Sequence, residues 1–143
     1  MINREILGRW FAGNDAAVEF VELAWDAAQI WDDLVDEGGS EQADAMVAWM
    51  AFGKEMNPYF MAHAQVLRPV MLSVYLQWQA ANALESAPNE DRISKSFVLR
   101  AGIFGLIHVV AFLCGGHTHA KGIAVEIYDT YAETAADILQ EVS

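Results

Sequence analysis

Base is what this chain lacks most. Its 143 residues hold 8 Lys and Arg against 20 Asp and Glu, a net charge of −12 at neutral pH. Recognition of a nucleic-acid backbone rests on clustered Lys and Arg, so the sequence is expected to have no direct nucleic-acid partner. Between Arg9 and Lys54 there is no base at all, although ten acids fall in that interval. Cysteine is nearly absent too: Cys114 is alone, which excludes an internal disulfide and agrees with a reducing compartment. No apolar run reaches the roughly 20 residues that a spanning helix needs. The most apolar stretch, Ala101 to Gly116, contains His108 and is expected to be a buried core helix, with no membrane span. No basic segment followed by an apolar one opens the chain, so no signal peptide is expected and the expected location is the cytoplasm. Period-2 alternation bounded by hairpin turns is missing, as are internal repeats and low-complexity segments.

What is present is apolar residue at helical spacing. The hydrophobic fraction is 55% and the mean hydropathy +0.19, in a length that fits one domain spanning residues 1–143. The pattern predicts an all-α fold: a single-domain helical bundle of five to seven helices around a central apolar helix near Ile103 to Leu113. A short helix, Ile2 to Phe11, is expected to break at Gly13-Asn14-Asp15. The next runs to Glu37 and is stopped by Gly38-Gly39. Ser40 is expected to cap a third, which extends to about Met56. Asn57-Pro58 opens a fourth, which Pro69 is expected to kink or split. Ala87-Pro88-Asn89 closes that segment. A fifth helix is expected from Glu90 to Cys114, ended by Gly115-Gly116, and a sixth from Thr118 to Glu141.

The stretch from Asp15 to Glu37 suggests chemistry as well as packing. On a helix that advances about 100° per residue, Glu19, Glu22, Asp26, Gln29, Asp33, Asp36 and Glu37 share one stripe. Phe20, Leu23, Ala24, Ala27, Ile30, Trp31, Leu34 and Val35 take the other side. With no base on the same helix, these carboxylates are left to water, a distant base or a cation.

Gln29-Ile30-Trp31-Asp32-Asp33-Leu34-Val35-Asp36 resembles the second aspartate-rich motif of trans-isoprenyl diphosphate synthases, in which Mg²⁺ ions clamp a diphosphate leaving group. That resemblance implies Asp32, Asp33 and Asp36 as metal-side carboxylates and Gln29 as the motif's glutamine. Hard oxygen ligands one helical turn apart suit Mg²⁺, which keeps several waters and bridges to substrate phosphates. Arg92, Lys95 and Arg100 are the bases available to neutralise a diphosphate. Ala28 stands where that family has Phe, no second Asp-Asp occurs in the chain, and the match covers eight to ten residues. Asp129, Glu133 and Asp137 form a second acidic stripe whose spacing resembles the metal triad of class I terpene cyclases. Glu19-x-x-Glu22 and Asp33-x-x-Asp36 also resemble the paired motifs of all-α nucleotide pyrophosphohydrolases, although here both lie on one helix.

Cys114, His117 and His119 supply three transition-metal ligand types without a visible fourth. No acid lies three residues before any His, so the Glu-x-x-His pattern of di-iron bundles is missing. His63 and His108 fall on apolar runs and are read as core residues. WDDLVD together with NPYFMAHAQVLRPVMLSVYLQWQAANALE is similar to a set of small proteins encoded by tailed bacteriophages and prophages, from about Phe11 to Glu85 and more loosely beyond. This similarity implies a phage origin and a cytoplasmic life in the infected bacterium, and it carries no activity. Two functional classes follow. The favoured one is a non-catalytic helical binding or interaction module with an acidic face, with a protein partner or a second copy of the chain. The alternative is a Mg²⁺-dependent enzyme acting on a small diphosphate.

Overall fold

The computed structural model describes residues 3–37 and 56–131, together with residues 137 and 140. Every element among the described residues is helical, in the order α1 (Arg4–Trp10), α2 (Asp15–Glu37), α3 (Pro58–Ser86), α4 (Glu90–Arg100) and α5 (Gly102–Asp129). The expected helix from Ser40 to Met56 and its Gly38-Gly39 boundary lie outside the described residues, as does most of the expected helix end toward Glu141.

Asparagine starts four of these helices. The side-chain oxygens of Asn3, Asn14, Asn57 and Asn89 accept from the backbone N–H groups of Glu5, Ala17, Phe60 and Arg92 at 2.7, 3.0, 2.8 and 2.9 Å. Each satisfies an N–H that the first turn leaves without a carbonyl. Asn57 also donates through Nδ2 to the Ala16 carbonyl at 3.1 Å, so the cap of α3 is anchored on the first turn of α2. Only 5% of Asn57 is exposed, and the two bonds account for its burial.

Three expectations about helix boundaries need correction. The sixth expected helix stops at Asp129, with Thr130 as its C-cap, rather than running unbroken from Thr118 to Glu141. The fourth expected helix departs from helical backbone at His63 (φ −122°, ψ 20°), not at Pro69. Pro69 and the residue whose carbonyl it orphans, Gln65, are both exposed, so water replaces the missing bond. The expected continuous helix from Glu90 to Cys114 is interrupted at Ala101 (ψ 5°), where charged α4 gives way to apolar α5.

The decisive backbone feature is Gly116 (φ 85°, ψ 179°). His108 Nε2 donates to the Ala120 carbonyl at 2.9 Å. In a straight helix twelve residues cover about 18 Å, so the chain must turn back between them. Ring contacts agree: Phe104 lies 6.4 Å from Tyr128 and 5.3 Å from Tyr131. α5 is therefore a helical hairpin with arms 102–115 and 117–129. Gly115 sits under the His119 ring with no room for a Cβ, and Gly116 takes a φ, ψ pair that only glycine adopts readily.

One apolar stretch among the described residues, within 90–129, is long and apolar enough by composition to cross a membrane. It is bent at Ala101 and reverses at Gly116. The arm 102–115 is about 21 Å long at 1.5 Å per residue, against a hydrocarbon core of about 30 Å.

Both arms contribute to the core. Ile103, Phe104, Leu106, Ile107, Val110 and Ala111 of the first arm and Ile127 of the second meet Leu7, Trp10 and Phe11 from the N-terminal region, Ala17 to Ala24 of α2, and Tyr59, Phe60, Leu67 and Val74 of α3. Phe20 stacks on Phe60 at 5.8 Å, and Trp25 meets Phe104 edge-on at 5.7 Å. Full burial of a large apolar side chain contributes about 1.5–3 kcal/mol.

Gly116→Ala is expected to destabilise the fold by about 1–3 kcal/mol, the cost of holding a side chain in that backbone region. Gly8→Ala in α1, where a Cβ meets nothing within 4 Å, is expected to be neutral or mildly stabilising. Thermal melts of the two variants check the contrast.

Candidate functional site

The scarce bases decide how the acidic helix is neutralised. Arg4 of α1 approaches Glu22 at 3.6 Å and Glu19 at 4.0 Å, and Arg100 at the end of α4 approaches Asp32 at 3.5 Å. Arg4 thus reaches the stripe on α2, while Arg100 reaches Asp32 beside it. Arg9 forms a two-point ion pair with Glu126, with Nη1 to Oε2 at 3.1 Å. Its hydrogen bonds and charge hold the Glu126 carboxyl below its ordinary value.

Arg100 is the centre of a partly buried cluster where α2, α3 and α4 meet. Its Nε and Nη2 donate to the two oxygens of Glu85 at 2.7 and 2.6 Å, a bidentate fork. Ser96, fully buried, donates its hydroxyl to the same carboxylate. Only 8% of the Glu85 side chain and 19% of the Arg100 side chain are exposed. Burial opposes ionisation of Glu85, but the bonds from Arg100 and Ser96 and the guanidinium charge outweigh it, so its pKa is lowered. Sequence spacing gives no hint of this cluster, because Glu85 and Arg100 lie on different helices and Ser96 carries no charge.

Of the residues singled out for diphosphate chemistry, the structure brings together Asp32 and Arg100. Gln29 is exposed one turn before Asp32. Asp33 and Asp36 belong to α2, but their side chains lie outside the described residues. Arg92 donates to the Ala87 carbonyl at 2.8 Å and Lys95 pairs with Asp91 at 2.7 Å, so both serve α4 and the turn before it. Along α4 Arg92 is about 12 Å from Arg100, at 1.5 Å per residue. Asp129 is exposed in the last turn of α5, Asp137 is exposed, and Glu133 lies outside the described residues. Among the described residues no three His, Cys, Asp or Glu side chains converge as a metal ion requires. The described carboxylate of the motif, Asp32, faces a guanidinium, whose like charge works against a cation there.

Cys114, His117 and His119 do not converge either. The Cys114 thiol donates to the Tyr59 hydroxyl at 3.6 Å, and burial raises its pKa further than that contact lowers it. His119 Nε2 donates to the Trp10 carbonyl at 2.7 Å, while His117 is exposed. His119 thus ties the second arm of the hairpin to α1, as His108 ties the two arms to each other.

The other recess is apolar. A groove of about 560 Å³ opens between α3, α4 and α5, walled by Val70, Val74, Val98, Leu106 and Val109, with Ser73, Gln77 and the Tyr128 hydroxyl as its polar groups. No charged residue lines it. Val98 on its wall is 68% exposed, and Val125, three residues before Tyr128 on the same arm, is 74% exposed.

Arg100→Ala is expected to destabilise the protein at neutral pH by about 3–5 kcal/mol, because it leaves Glu85 buried without its counter-charge. Glu85→Gln is expected to cost less, since Arg100 keeps Asp32. The pH dependence should invert between parent and variant. With Arg100 present the folded pKa of Glu85 lies below its unfolded value, so its stabilisation is present above the unfolded pKa and lost as pH falls through the folded one. In Arg100→Ala burial outweighs the remaining Ser96 bond and raises the folded pKa, and stability is regained as pH falls through it. Denaturant melts between pH 7 and 3 test both signs. The chain matches no protein-family model, no curated protein and no solved structure.

Proposed function

We propose that this chain is a non-catalytic helical interaction module that binds a protein partner through its uncharged helix faces. The observation that supports it most directly is the split of the surface: an apolar groove free of charged residues on one side, and carboxylates held by Arg4, Arg9 and Arg100 elsewhere. In this reading the chain is a single bundle of five to seven helices with the arm near Ile103 to Leu113 at its centre. It is an accessory protein of phage or prophage origin, cytoplasmic in the host bacterium, with no membrane span and no direct contact with nucleic acid. The Mg²⁺-dependent diphosphate reading has less support. It draws on Asp32, Asp33 and Asp36 as ligands and on Arg92, Lys95 or Arg100 to neutralise phosphate charge, and Asp32 and the three bases have other partners.

Calorimetric titration with Mg²⁺ and inorganic pyrophosphate decides between them. Saturating a specific site at 100 Kd adds about 2.7 kcal/mol to the stability of the folded state. The expected result is no binding heat, and a melting temperature that responds to Mg²⁺ no more than to NaCl of matched ionic strength. A Mg²⁺-specific rise that is lost in an Asp33→Asn, Asp36→Asn double variant overturns the module reading.

A further inference from the structure

The second arm of α5 carries a face with no partner among the described residues. Ala120 and Ile127 are buried on its inner side. Lys121, Gly122, Val125, Tyr128 and Asp129 lie on the outer side, all exposed. Lys121 and Asp129 make no ion pair among the described residues, in a chain where most other bases are engaged. A Cβ added at Gly122 meets nothing within 4 Å, so the backbone there is open to close approach.

The order of these residues is self-complementary. Lys121 and Asp129 flank Val125 by four residues on either side, so one ridge of the helix reads positive, apolar, negative. Two such helices crossing antiparallel at Val125, with their four-residue ridges aligned, bring each Lys121 to the other copy's Asp129. A two-fold axis makes both pairs at once, as an isologous interface requires. Gly122 leaves room at the crossing point, and Tyr128 extends the contact from Val125 into the apolar groove, whose wall it forms. Charge selects a second copy here. Elsewhere two molecules of net charge −12 repel each other, whereas this face presents as many bases as acids.

We infer that the chain forms a two-fold dimer through the arm 117–129 of α5, with Val125 on the axis and reciprocal Lys121–Asp129 ion pairs. The inference rests on the interaction-module reading and names one partner for it, a second copy of the same chain. It extends the face through Val98 and Tyr128 rather than through the acidic stripe of α2.

Sedimentation equilibrium of the full chain tests it, alongside charge-reversal variants whose exposed positions leave the core untouched and whose melting temperatures confirm folding. The expected species is twice the 15.8 kDa chain mass, in concentration-dependent exchange with monomer. Asp129→Lys or Lys121→Asp alone sets like charges together twice per dimer and is expected to weaken association at least about tenfold, or 1.4 kcal/mol. The double variant K121D/D129K restores opposite pairs and is expected to recover the parental dimer. A chain that stays monomeric throughout the accessible concentration range overturns the inference, and so does a dimer indifferent to the single reversals. Titrating the same samples with Mg²⁺ and pyrophosphate separates the two readings. A monomer silent to both ligands removes the dimer and leaves the module, whereas a dimer that binds them keeps the interface and removes the module.

Discussion

The reversal at Gly116 is the constraint on which the rest of the molecule depends. The stretch from Ala101 to Gly116 is the most apolar part of the chain, and without the second arm folded back on it part of that surface would lack a partner. Folding it back lets Phe104 and His108 of one arm meet Tyr128 and Ala120 of the other. It also sets the second arm against α1, through Glu126 and His119, while the first meets α2 through Phe104. The turn is possible because Gly115 lacks a Cβ beneath His119, and because Gly116 can hold a positive φ that other residues resist. His108 and His119 spend their ring N–H groups on backbone carbonyls, which fixes the angle of the hairpin and its seat on Trp10.

A chain so short of base uses its few cations as struts. Arg4, Arg9 and Arg100 each join one helix to another: α1 to α2, α1 to the second arm of α5, and α4 to both α2 and α3. Their worth differs with burial. The pairs of Arg4 and Arg9 are exposed and largely screened by solvent, so they orient more than they stabilise. Arg100 sits deeper, where a fork onto Glu85 holds a carboxylate that would otherwise oppose burial.

Much of the fold was legible in the sequence because its signals are local. The caps at Asn14 and Asn57, the glycine pair at 115–116 and the helical spacing of Phe20, Ala24 and Ala27 each act over a few residues. The all-helical class follows from them. What could not be read is what depends on distance. The expected kink at Pro69 follows from a missing N–H, but the backbone bends at His63, whose ring lies on Tyr59 at 4.6 Å. The break at Ala101 was hidden inside what reads as one continuous helical run from charged to apolar residues. The acidic stripe was correctly placed on α2, yet the identity of its counter-charges depends on which helix ends meet, and spacing along one helix does not encode that. The Glu85, Ser96 and Arg100 cluster escaped notice for the same reason.

The same distance dependence governs what an excess of negative charge does to a surface. Where a base reaches a carboxylate, as Arg100 reaches Glu85, the local field is small and the neighbourhood becomes structural. Where none does, acids repel one another, and any approaching acidic surface, through about 8–10 Å of salt solution. Contact with another protein is then favoured where the surface carries either no charge or charges that balance in pairs. On this molecule the first condition is met by the groove between α3, α4 and α5, and the second by the Lys121 and Asp129 ends of the neighbouring ridge. Tyr128 belongs to both, since its ring packs on Phe104 and His108 while its outer edge remains in water. The hairpin that builds the core therefore also sets the two neutral surfaces side by side, so that one turn at Gly116 positions both the packing and the face available for association.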